Sequence, residues 1–211
     1  MAAPDRQAHW DSVYRAKRED EVSWFQASPT LSLDLIHAAG VERSAPIIDV
    51  GGGASRLVDS LIEEGFANLT VLDVSEAAME GTKARLGARA TGVTWIVADV
   101  TKWEPTCAYD VWHDRAAFHF LTAPEDRAAY AQRVLRAVRP GGHVIIGTFG
   151  LDGPERCSGL PVVRHDAESI GNVLGPSFKL IETRHDDHQT PMGGSQKFQF
   201  SRFQRVHHRS A

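Results

Sequence analysis

Short apolar runs alternate along the chain with longer amphipathic segments, a pattern typical of a mostly parallel sheet with helices between its strands. Five runs rich in β-branched residues are too short for helices and predict strands. They lie at 47–50, 69–74, 93–98, 109–112 and 143–149. Several lack polar alternation, as expected for strands covered on both faces.

The intervening segments predict helices. Apolar residues recur at helical spacing from Val58 to Gly65, an Ala-rich helix over 76–86 follows Ser75 as N-cap, and a third over 124–138 ends at "RPGG". Two more helices, around residues 10–17 and 31–39, precede the first strand. At the other end, two long strands at 178–183 and 197–206 predict an antiparallel hairpin that closes the sheet. The predicted fold is therefore α/β, a doubly wound, seven-stranded, mostly parallel sheet with a C-terminal antiparallel hairpin.

A length of 211 residues fits one domain, and no repeat or linker interrupts it. We expect a single domain over 1–211, with a helical cap over 1–44, a ligand-binding core over 45–150, and a C-terminal part over 151–211 that carries a loop and the hairpin.

The composition of the chain limits the classes of binding partner that we expect. The net charge is −4 and the 23 Lys and Arg are scattered, which argues against nucleic acid. No signal segment and no apolar stretch of membrane-spanning length is present, so we expect no membrane partner. Two cysteines, with no secretory signal, favour the cytoplasm. Residues 185–188 read as a polar loop in which His185 and His188 are too loosely spaced to predict a metal site. The oligomeric state cannot be predicted.

The stretch "IIDVGGGASR" places a glycine turn between a strand and a helix, which is a general nucleotide cradle. Gly51 and Gly53 fit the first half of the dinucleotide motif, but Arg56 stands where its last glycine belongs. A triphosphate loop would need Gly-Lys-Ser/Thr, which is absent. Both phosphate-binding interpretations are therefore disfavoured.

Three aspartates mark the ends of adjacent predicted strands. Asp49, Asp73 and Asp99 should line one crevice, because ligands of open parallel sheets bind at the carboxyl ends of the strands. Asp73 can accept from both ribose hydroxyls, Asp99 from an adenine amino group, and Asp49 can orient the glycine loop and face a cationic end of the ligand. An acidic crevice favours S-adenosylmethionine over a pyrophosphate.

The motifs "IIDVGGGAS", "VLDVS", "ADV" and "LRAVRPGGHVIIGTF" resemble, in order and spacing, those of class I S-adenosylmethionine-dependent methyltransferases. The resemblance covers about residues 45 to 150 and implies a Rossmann-like fold, with the aspartate and glycines of the first motif at the methionine end of the cofactor. Ser55 replaces a third small residue of many members. An aromatic flap at Trp24 and Phe25 is a candidate lid, with core packing as the alternative. The candidate cofactor-binding residues are Asp49, Gly51, Gly52, Gly53, Asp73, Val74, Asp99, Val100 and Trp24.

The methyl acceptor should approach the segment "YDVWHDRAAFHFL", which follows the fourth predicted strand. We expect a turn here with His113, Asp114, Arg115 and His119 as candidate catalytic residues, and His113 as the preferred base. The alternatives are a structural ion pair between Asp114 and Arg115 and a hydrogen-bonded core role for His119. Three residues after the fifth strand could also reach the acceptor: Cys157, Arg164 and His165.

The stretch "WHDRAAFHFLTAPEDRAAY" is similar to the acceptor turn of the thiopurine and thiol/halide methyltransferases, in which the arginine matching Arg115 lies at the acceptor pocket. The opening "HWDSVYRAKREDEVSWFQ" is similar to that group and to the elongation-factor lysine methyltransferases. Ala116 in place of a glycine and the inserted His113 depart from both patterns. The resemblance implies a methyltransferase acting on a small molecule, first of all a small thiol or related soft acceptor. The alternatives are a protein lysine N-methyltransferase and a non-catalytic S-adenosylmethionine-binding protein.

Overall fold

The computed structural model describes residues 5–206, so the ends of the predicted cap and C-terminal part, 1–4 and 207–211, lie outside it. Seven strands form one sheet, and a separate two-stranded hairpin follows the fifth strand. In chain order the strands are β1 (Ile47–Val50), β2 (Leu69–Asp73), β3 (Val93–Val97), β4 (Tyr109–Arg115), β5 (Val138–Phe149), β6 (Arg156–Cys157), β7 (Leu160–Pro161), β8 (Phe178–Gln189) and β9 (Ser195–Arg205).

The order across the large sheet is β3-β2-β1-β4-β5-β9-β8. β1 to β5 are parallel, and β9 lies antiparallel between β5 and β8. The predicted seven-stranded, mostly parallel sheet with an antiparallel C-terminal hairpin is confirmed. The strand order reverses between β1 and β4, which is where an open α/β sheet binds its ligand.

Helices cover both faces of the sheet. They are α1 (Arg6–Ala16), α2 (Thr30–Ala38), α3 (Leu57–Glu63), α4 (Glu76–Leu86), α5 (Pro124–Ala137) and α6 (Ala167–Leu174). One buried cluster joins Leu35 and Leu57 to the sheet, and the other joins Tyr130 and Ile170 to its opposite face. The sequence analysis did not predict α6, which begins after the N-cap Asp166, whose side chain accepts from the Ser169 backbone N–H at 2.8 Å.

The fourth strand is longer than predicted, and this changes the candidate acceptor residues. His113 pairs in register with Asp49 of β1, and Arg115 with Gly147 of β5, so 113–115 continue β4 and do not form a turn. This corrects the predicted turn. Since side chains alternate along a strand, Asp114 points to the face opposite that of His113 and Arg115.

The C-terminal hairpin is also longer than predicted. β8 continues to Gln189 and is joined to β9 by residues 190–194, so His185 and His188 lie in a strand rather than in a loop. His188 Nε2 hydrogen-bonds the Ser23 carbonyl at 2.8 Å. Within residues 5–206, no cluster of three or more His, Cys, Asp and Glu is arranged to hold a metal ion. In the same range, no helix is long and apolar enough to cross a membrane.

Candidate functional site

Two cavities open at the carboxyl ends of the central strands. The first is lined by Asp73, Val74, Asp99 and Val100, and the second by Asp49, Gly52, His113 and Ser32. Tyr14, Trp24, Gly51 and Arg115 line both cavities. The cavities therefore adjoin, with the end of β4 and the glycine loop between them.

The glycine loop lies against the two buried aspartates. A Cβ on Gly52 would come within 2.2 Å of Asp49 Oδ2, and one on Gly53 within 2.7 Å of Asp73 Oδ2. Gly51 has a φ of +72°, a conformation that favours glycine. The loop backbone lies so close to its neighbours, the two carboxylates among them, that no side chain fits at these three positions.

Asp73 is held by backbone donors at the bottom of the first cavity. Its Oδ2 accepts from the Gly53 N–H at 2.9 Å and its Oδ1 from the Ser75 N–H at 2.8 Å. Burial, with the charge of Asp49 nearby, raises the pKa of Asp73 to about 6. The carboxylate is thus mostly ionised at neutral pH but protonated under mildly acidic conditions.

Asp99 lies just beyond β3, at the other end of the same cavity. Burial acts to raise its pKa, but hydrogen bonds from Thr101 and the charge of Arg6 hold that pKa below its usual value. Arg6 Nη1 donates to Asp99 Oδ2 at 3.1 Å, and Nη2 pairs with Asp126. Arg6, the first residue of α1, was not predicted as a site residue because its partners are remote in sequence.

Aromatic side chains cover the first cavity. The Trp10 ring centroid lies 5.6 Å from that of Trp24 and 5.0 Å from that of Phe120, and Tyr14 lies 6.2 Å from Trp24. Glu19, which follows α1, forms ion pairs with Arg56 and Arg85. The arginine that replaces the last glycine of the dinucleotide motif therefore attaches the cover to the glycine loop.

Asp49 belongs to a buried hydrogen-bonded network in the second cavity. Asp49 Oδ1 lies 2.7 Å from His113 Nδ1, and His113 Nε2 lies 2.9 Å from Ser32 Oγ on α2. The exposed fractions are 4% for Asp49, 2% for His113 and 1% for Ser32. Asp49 Oδ2 is buried without a partner among the described residues. Both ring nitrogens of His113 are engaged, so neither is available to take a proton from an acceptor in this arrangement.

Arg115 is the cation at the junction of the cavities. Its Nη1 donates to the Trp24 carbonyl at 2.8 Å, and the guanidinium lies 4.6 Å from the centre of the Phe198 ring. Nε and Nη2 are buried and have no partner within residues 5–206, where no carboxylate forms an ion pair with this side chain. Burial lowers the pKa of Arg115 to about 10, so the group stays charged at neutral pH.

Asp114 and His119 line neither cavity. Asp114 is fully buried on the other face of β4, where it accepts from the Tyr130 hydroxyl at 2.8 Å and from the backbone N–H groups of Ala117 and Phe118. His119 packs at 4.7 Å from Phe149, and burial lowers its pKa to about 3. This corrects their predicted contact with the acceptor: Asp114 shapes the turn after β4, and His119 is a weakly basic core residue.

Of the residues that follow β5, Cys157 lines the first cavity and the other two do not. Burial raises the pKa of its thiol to about 11. Arg164 pairs with Glu155, and His165 packs against Phe118 at 5.0 Å.

A family model described as a methyltransferase domain matches residues 47–142 of the chain. This stretch, somewhat less than half of the chain, is similar to S-adenosylmethionine-dependent methyltransferases. The chain is similar to malonyl-acyl-carrier protein O-methyltransferase of Anoxybacillus flavithermus, with 30% identity over 106 residues that cover 49% of this chain and 39% of the relative. The chain thus spans about two fifths of the length of that relative.

Longer matches have lower identity. EEF1A lysine methyltransferase 2 of Danio rerio is 27% identical over 82% of this chain and 75% of the relative. Among solved structures, the 1,6-didemethyltoxoflavin-N1-methyltransferase of Burkholderia thailandensis, with bound S-adenosylhomocysteine, superimposes with a TM-score of 0.75 at 20% identity. That match covers 98% of this chain and 92% of the other, and it shows the shared fold.

S-Adenosylmethionine is the cofactor of class I methyltransferases, and the two cavities of this chain fit it. The cofactor carries a cationic ammonium group, and Asp49 offers a buried carboxylate oxygen that has no partner among the described residues. It also carries ribose hydroxyls, and Asp73 lines the cavity with a carboxylate that is ionised at neutral pH. The glycine backbone leaves no room for side chains between these two groups.

Proposed function

We propose that the protein transfers the methyl group of S-adenosylmethionine to a small-molecule nucleophile. The preferred acceptor is a small thiol or a related soft nucleophile. The bound cofactor supplies an electrophilic methyl group on a sulfonium centre. The work left to the protein is to hold both reactants in line, to exclude water and to favour the nucleophilic form of the acceptor.

The cofactor assignments follow the two cavities. Asp73 accepts from the ribose hydroxyls, Asp99 and Val100 lie beside the adenine, and Val74 lines the space between them. Asp49 and the three loop glycines take the methionine end, and Trp24 closes over it. Arg6 joins α1 to Asp99 through Oδ2 at the edge of the first cavity, so we assign Arg6 a role in closing α1 over the cofactor.

The observation that carries the acceptor assignment is Arg115. A buried guanidinium that forms no direct ion pair within residues 5–206 stabilises an anion placed beside it, and hydrogen bonds to charged groups are worth about 1.5–3 kcal/mol. A thiol reacts as its thiolate, which such a cation favours. A lysine amine would have to lose its proton and enter next to a positive charge.

Cys157 is consistent with an acceptor in the first cavity. Its raised pKa keeps the thiol protonated, so it can contact a soft acceptor without competing for the methyl group as a thiolate. Two free thiols, Cys107 and Cys157, also agree with the expected cytoplasmic site of the reaction.

A specific observation favours the second candidate, a protein lysine N-methyltransferase. A shallow depression outside the second cavity is lined by Asp20, Asp186 and Asp187, which would attract a lysine. The Danio rerio relative with 82% coverage is named as a lysine methyltransferase. A non-catalytic S-adenosylmethionine-binding protein is the third candidate and would bind the cofactor without turnover.

The test compares wild type with Arg115→Lys and Arg115→Gln on small thiols, small carboxylates and a lysine peptide. We expect turnover on thiols, and in Arg115→Gln a kcat/KM profile displaced to higher pH because the thiolate is no longer stabilised. Arg115→Lys should retain part of the effect since it keeps the charge. Affinity for S-adenosylhomocysteine, measured by calorimetry, should stay within about threefold, which separates an acceptor defect from a cofactor defect.

Preferred methylation of the lysine peptide, with an unchanged pH profile in Arg115→Gln, would contradict the thiol assignment. Tight cofactor binding with no turnover on any of these acceptors or on lysate components would favour the non-catalytic alternative.

A further inference from the structure

We infer that His113 is a positioning residue, which fixes the Asp49 carboxylate so that its free oxygen receives the ammonium group of the cofactor. The inference concerns the cofactor site alone and does not depend on which acceptor is methylated. It replaces the predicted role of His113 as an acceptor base.

The first support is the geometry of the pair. Asp49 and His113 are register partners on adjacent parallel strands, so their side chains rise from the sheet at the same level and on the same face. The 2.7 Å contact between Asp49 Oδ1 and His113 Nδ1 is therefore set by two rigid strands. A carboxylate only accepts, so Nδ1 carries the proton and donates it to Oδ1.

The second support is the other side of the ring. With Nδ1 protonated, the neutral imidazole has an acceptor at Nε2, which matches the Ser32 hydroxyl at 2.9 Å. Ser32 lies on α2, close after the segment that carries Trp24. The ring is thus held at both nitrogens, one partner on the sheet and the other on the helix.

The third support is the second carboxylate oxygen of Asp49, which forms no hydrogen bond with the described residues. With Oδ1 engaged, Oδ2 is left without a partner among residues 5–206, and it lies under Gly52, where even a Cβ would approach to 2.2 Å. A buried, unpartnered carboxylate oxygen beside a loop of bare backbone requires a hydrogen-bond donor, and the ammonium group of the cofactor is one that also matches its charge. Without His113 the carboxylate could rotate and satisfy both oxygens elsewhere, and the site would lose its orientation.

The test measures two ligands that differ at the amino-acid end. S-Adenosylhomocysteine carries the ammonium group, and 5′-methylthioadenosine keeps the adenosine part without it. Both are titrated by calorimetry, the weaker by displacement, into wild type, His113→Leu, His113→Asn and Ser32→Ala. The Asn side chain can still donate to Asp49 but does not reach Ser32, so it is the conservative variant.

His113→Leu should weaken S-adenosylhomocysteine about tenfold or more and 5′-methylthioadenosine less than about twofold. His113→Asn should recover most of the loss, and Ser32→Ala should show a smaller loss with the same preference. In wild type, ¹⁵N NMR should show a proton on Nδ1 of the His113 ring.

Equal weakening of both ligands, or no weakening of either, would overturn the inference. A ring protonated at Nε2 alone would also overturn it, because Nδ1 could not then donate to Asp49. If His113→Leu does not fold, His113→Asn and Ser32→Ala decide by the same comparison of the two ligands.

Discussion

Asp73→Asn is the substitution whose effects on stability and on cofactor binding should separate most clearly. In the folded protein the pKa of Asp73 is about 6, against an ordinary value of 3.8. A group whose pKa is raised by folding stabilises the protein below its unfolded pKa, and this contribution is lost as the pH rises through the folded value. At pH 7.5 the buried charge therefore costs about 3 kcal/mol, which the neutral amide removes.

The amide also introduces a cost. Asp73 accepts from two backbone N–H groups, of Gly53 and Ser75, and an asparagine can accept from only one of them through its oxygen. A buried donor left unpaired costs about 1–3 kcal/mol. The two effects oppose each other, so the free energy of unfolding at pH 7.5 should change by less than about 2 kcal/mol.

Cofactor binding has no such compensation. Loss of hydrogen bonds from the ribose hydroxyls to an ionised carboxylate should weaken S-adenosylhomocysteine by about 1.5–3 kcal/mol, or roughly 10- to 150-fold. In wild type the affinity should itself fall about tenfold from pH 7.5 to pH 5, because Asp73 becomes protonated in the free protein. Asp73→Asn should lack this pH dependence. Calorimetry at both pH values and urea unfolding measure the two effects.

Asp114→Asn is the matched control. Asp114 has the same raised pKa of about 6 and is fully buried, but it lies on the opposite face of the sheet. Its replacement should leave the affinity for S-adenosylhomocysteine within about twofold. An unchanged affinity in Asp73→Asn, or an equal loss in both variants, would refute the ribose assignment.

Three further substitutions test the architecture of the site. Ala116→Gly should raise the free energy of unfolding, measured by urea titration, by about 0.5–1 kcal/mol. Ala116 has a φ of +67°, and holding alanine in this left-handed conformation costs more than the chain flexibility that glycine adds to the unfolded state. A loss of stability would contradict this prediction. Tyr130→Phe should destabilise by about 2–4 kcal/mol, since Trp112 Nε1 and Asp114 Oδ2 each lose a buried partner, while calorimetric affinity for S-adenosylhomocysteine stays nearly constant. Gly52→Ala should abolish that binding because its Cβ displaces Asp49 Oδ2. Gly81→Ala should bind normally, because beyond its own helix backbone and chain neighbours no described atom lies within 4 Å of the added Cβ. Equal binding by both variants would argue against the glycine cradle.

The clustering of the candidate cofactor residues could be predicted because its signals are local. The glycine triplet and the aspartates at strand ends are adjacent in sequence to the elements that position them, and Asp73, Val74, Asp99 and Val100 do line one cavity. Asp49 and Gly52 line the adjoining cavity.

The acceptor half was less predictable, because it depends on where β4 ends. β4 ends at residue 115 rather than at the predicted 112, and this longer strand determines which face of the sheet each side chain occupies. The polar residues 113–115 did not indicate that strand pairing continues. Asp114 therefore lies on the face of the sheet opposite the candidate site, and not beside the acceptor as predicted. Ser32 and Arg6 were missed because their partners, His113 and Asp99, are 81 and 93 residues away in the chain.

The location of the transferred methyl group tests the central claim most directly. Wild type and Arg115→Gln are incubated with methyl-labelled S-adenosylmethionine and a cell lysate, and the label is separated into small-molecule and protein fractions. The proposal predicts that wild type labels the small-molecule fraction, in a product with the label on sulfur or a related soft atom, and that Arg115→Gln strongly reduces this labelling. Label confined to protein lysines, or equal labelling by both forms, would contradict it.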